Sequence, residues 1–226
     1  MPTIAIVGAG SGLGLALART FGAQGFAVAL LARNPDNLDQ LVASLAADGI
    51  DAAGFPADVT DAPSLHRALG DAAERFGGID VLEYSPAERA AGPLAPVDIR
   101  EAAPANIQPQ VEYYLYGAVE AAHAVLPPML AAGAGTLLFT TGAASVHPVP
   151  MFGNVGIGAA ALRNWALNLG TSVAAEGVYI AHVAIGVWIG EDGPEGVDRL
   201  PASEIAERYW ALYQQRSVPE LVITGS

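Results

Sequence analysis

The chain contains no cysteine, which excludes disulfides and thiolate metal sites. Positive charge is scarce: 10 basic against 23 acidic side chains leave a net charge of −13. That balance argues against nucleic acid or an anionic membrane surface as a partner, while leaving room for one local basic contact to a phosphate. Charge of either sign is thin at 15%, against 52% hydrophobic residues. A disordered chain is therefore excluded, and extensive burial is expected, extending to a subunit interface. No uninterrupted apolar run is long enough to cross a bilayer. The opening MPTIAIVGAG has no basic segment and turns to glycine after a few residues, which predicts no signal peptide. A soluble cytoplasmic protein is the simplest expectation. The histidines outside the 147 loop are scattered among different elements, which speaks against a metal cluster.

What is present is an alternation of short apolar runs and longer amphipathic segments. At 226 residues the chain suffices for one α/β domain, 1–226, with a sizeable core. Strands are expected over residues 3–7, 26–31, near 50–55, and over 79–84, 136–141, 178–185 and 221–224. Helices are expected over 12–24, 36–48, 62–76, about 105–132, 152–175 and 203–216. Repeated β-α-β units with nearly continuous apolar strands predict a doubly wound parallel sheet of about seven strands, with helices on both faces. The least regular stretch, residues 85–109, follows the fourth strand, where such folds build their sites.

The first strand runs into VGAGSGLGLAL. Gly8, Gly12 and Gly14 have the spacing G-x3-G-x-G between strand and helix. Glycine permits a tight turn there and lets a pyrophosphate approach the backbone, while the helix presents N–H groups and a positive dipole end. A bare tight turn is the plainer alternative, and the strand-loop-helix context favours binding. Gly8, Gly10, Ser11, Gly12, Leu13 and Gly14 are the candidate contacts. The second strand ends LLARN. A carboxylate there would hold a ribose 2′-OH, whereas Arg33 suits a 2′-phosphate. NADP(H) is thus favoured over NAD(H), the alternative being an ordinary solvated arginine. After the third strand, ADVTD offers Asp58 to an adenine amine and Val59 to the ring. Asp58 serves equally as a turn residue, with Thr60 or Asp61 as helix N-cap. Ser85, after the fourth strand, is a further candidate cofactor contact.

Together the glycine loop, ADV at 57–59, IDVLEYSPA, the helix ending VLPPML, and GTLLFTTGAAS leading into ALRNWALNLG resemble the short-chain dehydrogenase/reductase family over nearly the whole chain. The resemblance implies a Rossmann domain that transfers hydride between NAD(P) and a carbonyl or alcohol. It also implies a homodimer or homotetramer paired through the helices after strands four and five. The family pattern uses Asn, Ser, Tyr and a Lys four residues after the Tyr. Aligned without gaps, those positions fall on Tyr114, Gly142, Val155 and Ala159. A register shift lets Ser145 serve as the Ser. It cannot restore the other pair, because residues 142–170 contain neither Tyr nor Lys. A positioned general acid supplies about 10²- to 10⁴-fold, so reduction by the family mechanism is expected to be nearly abolished.

Other groups are available. Tyr114 could donate to a substrate oxygen or simply fill space. His147 could act as general acid or be a solvated loop residue. Glu83, at the end of an apolar strand, is either a polar end residue or a buried carboxylate of raised pKa. Val155 and Ala159 share a helix face, so GNVGIGAAAL predicts either a widened apolar pocket or tighter subunit packing. Three functions stay open: an atypical NADP(H) oxidoreductase acting on a small carbonyl or alcohol, a non-catalytic dinucleotide-binding sensor or scaffold, and a non-redox isomerase or lyase.

Overall fold

The inner strands of the sheet are short runs largely buried on both faces, and the two edge strands are about half-buried. In the computed structural model, which describes residues 1–87 and 92–225, β1 (Thr3–Val7) is buried along its whole length. It pairs in parallel with β2 (Ala27–Ala32) on one side and β4 (Val81–Tyr84) on the other. The chain moves outward through β2 to β3 (Ala52–Pro56), then crosses back to β4 and continues through β5 (Gly135–Gly142), β6 (Val178–Ile185) and β9 (Glu220–Ile223). The order is β3-β2-β1-β4-β5-β6-β9, all pairs parallel. The reversal between β1 and β4 opens a crevice at the carboxyl edge.

Helix boundaries follow local chemistry. In α2 (Pro35–Ala47), Asn34 Oδ1 accepts from the Asp36 and Asn37 N–H groups, and Pro35 occupies the first helical position. In α3 (Ala62–Phe76), Asp61 accepts from the Ser64 N–H, and Gly77 ends the helix at φ +83°. Helices α1 (Leu13–Gly22), α2 and α7 (Ala202–Gln215) cover one face of the sheet. Phe21, Phe26, Trp210 and Tyr213 meet largely edge-on between α1 and α7. Helices α3, α5 (Gly117–Ala132) and α6 (Gly153–Val173) cover the other face.

The helix expected over 105–132 is interrupted. It consists of α4 (Pro104–Val111), a five-residue π-helical segment Glu112–Tyr116, and α5. Two features outside the sheet went unforeseen: the parallel pair β7 (Trp188–Ile189) and β8 (Arg199–Leu200), after the sixth strand. Other boundaries shift by one or two residues. Part of the irregular stretch, residues 88–91, lies outside the described residues. Among the described residues no helix is long and apolar enough to cross a membrane.

The segment after β4 is tied to α6 by one buried side chain. Asn154 accepts from the Val97 N–H at 2.8 Å and donates to the Ala95 and Asn106 carbonyls at 3.0 and 3.2 Å. Replacing it strands three backbone groups. Asn154→Ala is expected to lower stability by about 2 kcal/mol or more, read as a reduced urea midpoint, with early proteolysis near residues 95–106.

Candidate functional site

The glycine loop is shaped by its contact with β4. Gly8 sits at φ +98°, and a Cβ there would lie 2.5 Å from Pro86 Cα. Its N–H and that of Ala9 both donate to the Leu31 carbonyl. The loop therefore lies flat across the ends of β1, β2 and β4. Gly14 is also crowded, with a Cβ 3.0 Å from Ala9 Cα, whereas Cβ atoms at Gly10 and Gly12 would point into open space. Gly12 is the N-cap of α1 and supplies no capping side chain. Those first-turn N–H groups and the bare glycine surface form a cradle suited to a diphosphate.

Two cavities share this loop. One, of about 220 Å³, is walled by Leu31, Arg33, Asn37, Ala57, Val59 and Tyr113. The other, of about 510 Å³, runs along Gly10 to Gly14, then past Ser85 and Tyr114 to Thr140, Thr141 and Gly142, with Ile185, Val187 and Ile189 as its apolar wall. Gly8, Ala9, Pro86 and Ala87 line both. The result is an elongated cleft with a basic residue at one end and hydroxyls at the other.

Beneath the hydroxyl end lie two buried polar clusters, one on each face of the sheet. On the α7 face, Glu83 is fully buried and accepts from the hydroxyls of Ser85 and Thr140, each at 2.8 Å. Thr140 Oγ1 also lies 2.7 Å from the Tyr209 hydroxyl. Desolvation outweighs these hydrogen bonds and pushes the Glu83 carboxyl up to about 7. On the α6 face, His182 is fully buried, with Nε2 2.8 Å from Thr141 Oγ1 and Nδ1 2.9 Å from Glu220. Arg163 grips both Glu220 oxygens at 2.6 and 2.8 Å. Arg163 lowers the Glu220 pKa, and burial lowers that of His182.

The sequence candidates separate cleanly. Gly8, Gly10, Gly12, Leu13, Gly14, Ser85 and Tyr114 line the larger cavity, and Arg33 and Val59 the smaller. Ser11 is exposed on the loop. Asp58 organises a turn, accepting from the Thr60 N–H and hydroxyl, while Asp61 caps α3. Tyr114 packs edge-on against Tyr113, and burial raises its pKa, which makes it a weaker acid than a free phenol. His147 is exposed and lines neither cavity. Ser145 is buried and donates to the Gly142 carbonyl, 2.8 Å from Thr141 Oγ1.

Val155 and Ala159 line neither cavity. The small residues of α6 serve packing within the chain: Cβ atoms at Gly153 and Gly158 would collide with Ile99 and Gln110. All ten basic residues are arginine, so no lysine is available anywhere in the sequence. Sequence reasoning missed Thr140, Thr141, His182, Glu220 and Arg163. For Thr140, Thr141, His182 and Glu220 the signal was a polar side chain in an otherwise apolar strand, and for Arg163 a charge in the otherwise uncharged α6.

The fold and this cleft define a dinucleotide-binding α/β protein of the doubly wound class. The family model described as short chain dehydrogenase matches residues 2–189, and the chain belongs to that family. It is 27% identical to a fatty acyl-CoA reductase of Mycobacterium tuberculosis over 96% of this chain and 74% of that one. It is 40% identical to the 2,3-dihydro-2,3-dihydroxybenzoate dehydrogenase of Bacillus subtilis over 34% of this chain, a match that spans only 30% of that relative. The L-sorbose reductase of Gluconobacter frateurii, solved with NADPH and L-sorbose, shares the fold at a TM-score of 0.86 and 23% identity, over 100% of this chain and 96% of that one. The protein thus has the fold of the NAD(P)-dependent short-chain oxidoreductases.

The buried carboxyl has a measurable signature. With its pKa raised from the ordinary 4.5 to about 7, Glu83 keeps its proton in the folded state where the unfolded chain has lost it. Its contribution is fully present below about 4.5, declines as pH rises, and is gone above about 7. The difference is about 3 kcal/mol. Urea denaturation at pH 5 and pH 8 should show this decline, and Glu83→Gln should flatten it. An unchanged pH slope in the variant would show that Glu83 does not titrate in this range.

Proposed function

We propose that the protein is an NADP(H)-dependent oxidoreductase acting on a small carbonyl or alcohol without the family's tyrosine–lysine pair. The observation that carries this reading is the continuity of the cleft. Glycine loop and Arg33 stand at one end, and Ser85, Tyr114, Thr140 and Thr141 at the other. When bound, the nicotinamide supplies hydride chemistry. The chain's own part is to hold and orient it and to manage the proton. The N–H groups opening α1 would hold the diphosphate, and Arg33 the 2′-phosphate. Val59 would flank the adenine, and Ser85 would contact the ribose. Ile185, Val187 and Ile189 would exclude water from one side of the ring.

A second reading, a non-catalytic dinucleotide sensor, draws support from the apolar pair Val155 and Ala159 and from the absence of lysine. Turnover separates the two. NADPH oxidation across a panel of small aldehydes, ketones and quinones supports the first reading, and binding without turnover the second. Assembly as a homodimer or homotetramer is part of the proposal. Tyr116, Met151, Phe152 and Ile157, on and around α5 and α6, are exposed apolar side chains.

Arg33 tests the cofactor preference. Arg33→Ala should weaken NADPH binding by about 10- to 100-fold, the range of a charge-assisted contact, and leave NADH binding nearly unchanged. Fluorescence titration of both nucleotides measures this. Equal losses for the two would overturn the preference for the 2′-phosphate.

A further inference from the structure

We infer that Thr141, His182 and Glu220 form a proton relay that serves the hydroxyl end of the cleft, with His182 holding the proton during turnover. Thr141 is the group that exchanges a proton with substrate, and His182 and Glu220 are positioning residues behind it. The inference rests on the oxidoreductase reading above.

Strand register places the three groups. In the parallel pairs, His182 stands beside Phe139 on one side and Glu220 on the other. Paired residues point to the same face, and Thr141 lies two residues beyond Phe139, so all three side chains share the α6 face. The hydrogen bonds are continuous: Thr141 Oγ1 to His182 Nε2 at 2.8 Å, and His182 Nδ1 to Glu220 at 2.9 Å. Arg163 keeps Glu220 ionised, so Glu220 accepts from the Nδ1 proton. That fixes the tautomer and leaves Nε2 to accept from the Thr141 hydroxyl. The Thr141 hydroxyl also donates toward Ser145 Oγ at 2.8 Å and the Gly142 carbonyl at 3.1 Å, so it turns from them to the imidazole to give up its proton, and Ser145 itself donates to the Gly142 carbonyl at 3.0 Å. A hydroxyl, an imidazole and a carboxylate in this order have the geometry of an activated hydroxyl.

The two ends of the relay differ in exposure. Thr141 lines the larger cavity, beside Gly142, whose missing side chain leaves open space. The His182 side chain is 0% exposed, that of Glu220 21% and that of Arg163 32%. The chain therefore starts at the cleft, crosses a buried imidazole and ends at a partly exposed carboxylate that stabilises the imidazolium. The Glu83 cluster offers no such route. Thr140 points to the opposite face, and its hydrogen bonds run to Tyr209, fully buried in the core, and through Glu83 back to Ser85 at the cleft.

In alcohol oxidation the carbinol C–H bond breaks and its hydride reduces a bound oxidised nicotinamide dinucleotide. The alcohol O–H proton passes to Thr141 Oγ1 as the Thr141 proton passes to His182 Nε2. The imidazolium is stabilised by Glu220 and keeps its Nδ1 proton; once the carbonyl leaves, Nε2 returns its proton through Thr141 to water entering the cleft, which restores the starting tautomer. One alcohol and one oxidised dinucleotide give one carbonyl, one reduced dinucleotide and one proton. Carbonyl reduction is the reverse.

The charged groups facing His182 are Glu220 from β9 and Arg163 from α6, and β5 contributes only the Thr141 hydroxyl. Burial favours neutral imidazole, so oxidation should fail as pH falls through a His182 pKa below the ordinary histidine value. The test uses the full chain with NADP⁺ and a panel of small secondary alcohols. Thr141→Val should lower kcat by about 10²-fold or more with NADP⁺ binding unchanged, and Thr141→Ser should restore most of it. His182→Gln should remove the acidic limb of the pH profile. Imidazole ¹⁵N NMR gives a readout independent of turnover. His182 should show protonated Nδ1 and bare Nε2, with shifts that move when NADP⁺ is added to the wild type but not to Thr141→Val. Failure of the wild type to bind NADP⁺, or binding without turnover, sinks the oxidoreductase reading and the relay with it. Turnover that survives Thr141→Val, or His182 shifts indifferent to NADP⁺, overturns the relay alone and holds even if His182→Gln does not fold.

Discussion

The carboxyl edge of the sheet is organised by the approach of two loops at Gly8. At φ +98° the chain turns across the sheet instead of climbing away from it, and its backbone comes to rest on Pro86. Both partners are suited to that contact. Gly8 has no Cβ to collide, and Pro86 has no N–H to strand. Because the loops after β1 and β4 touch, the two cavities share their central residues and form one cleft. The helix opening beside that loop then supplies N–H groups that no side chain caps. A side chain at position 8 would push β1's loop off β4 and divide what is now a continuous groove.

The same edge accommodates two buried ionisable groups, and the alternation of strand side chains keeps them apart. Thr140 and Thr141 are consecutive on β5, so their hydroxyls face opposite sides of the sheet and serve different clusters. Glu83 resolves its burial by holding a proton. The His182 cluster resolves it by pairing, with Glu220 between His182 and Arg163. Burying an ion pair is seldom favourable against an apolar substitute of similar volume. Apolar packing is available on this face of the sheet, whose core includes Leu137, Phe139, Leu162 and Ile180. Retention of a histidine among them is hard to account for by stability alone.

Much of the architecture was legible because it depends on local pattern. The parallel sheet followed from short apolar runs such as Thr3–Val7, and the phosphate cradle from glycines at fixed offsets. Asn34, Asp61 and Gly77 mark helix ends by chemistry that acts within a few residues. The π-helical segment was not legible. It sits where Tyr84 donates to the Tyr113 carbonyl at 2.6 Å and where Gly117 packs against that same hydroxyl, contacts made across the fold. His182 and Glu220 were missed for a related reason. They are 38 residues apart, and only strand pairing makes them neighbours. Read singly, each is an ordinary polar residue in a strand. Tyr114 was placed correctly in the cleft, but its burial was not foreseeable, and burial makes it a poorer acid.

Helix α6 is shaped over residues 153–159 by close packing. Residues 155 and 159 share a face, but α6 lies so close to the chain preceding α5 that Gly158 has no room for a Cβ beside Gln110, and Ala159 is 1% exposed. A lysine at 159 would need space for its stem and a solvated or paired site for its ammonium, and Ala159 is buried. A side chain of that length has no room at 159 unless its neighbours move. What α6 does contribute is Arg163, one turn beyond Ala159, aimed at Glu220. The helix holds the carboxylate, the carboxylate holds the imidazole, and the imidazole meets Thr141, which lines the cleft. Groups fixed on paired strands are held more firmly than groups on a loop, and His147, exposed on such a loop, has no comparable support.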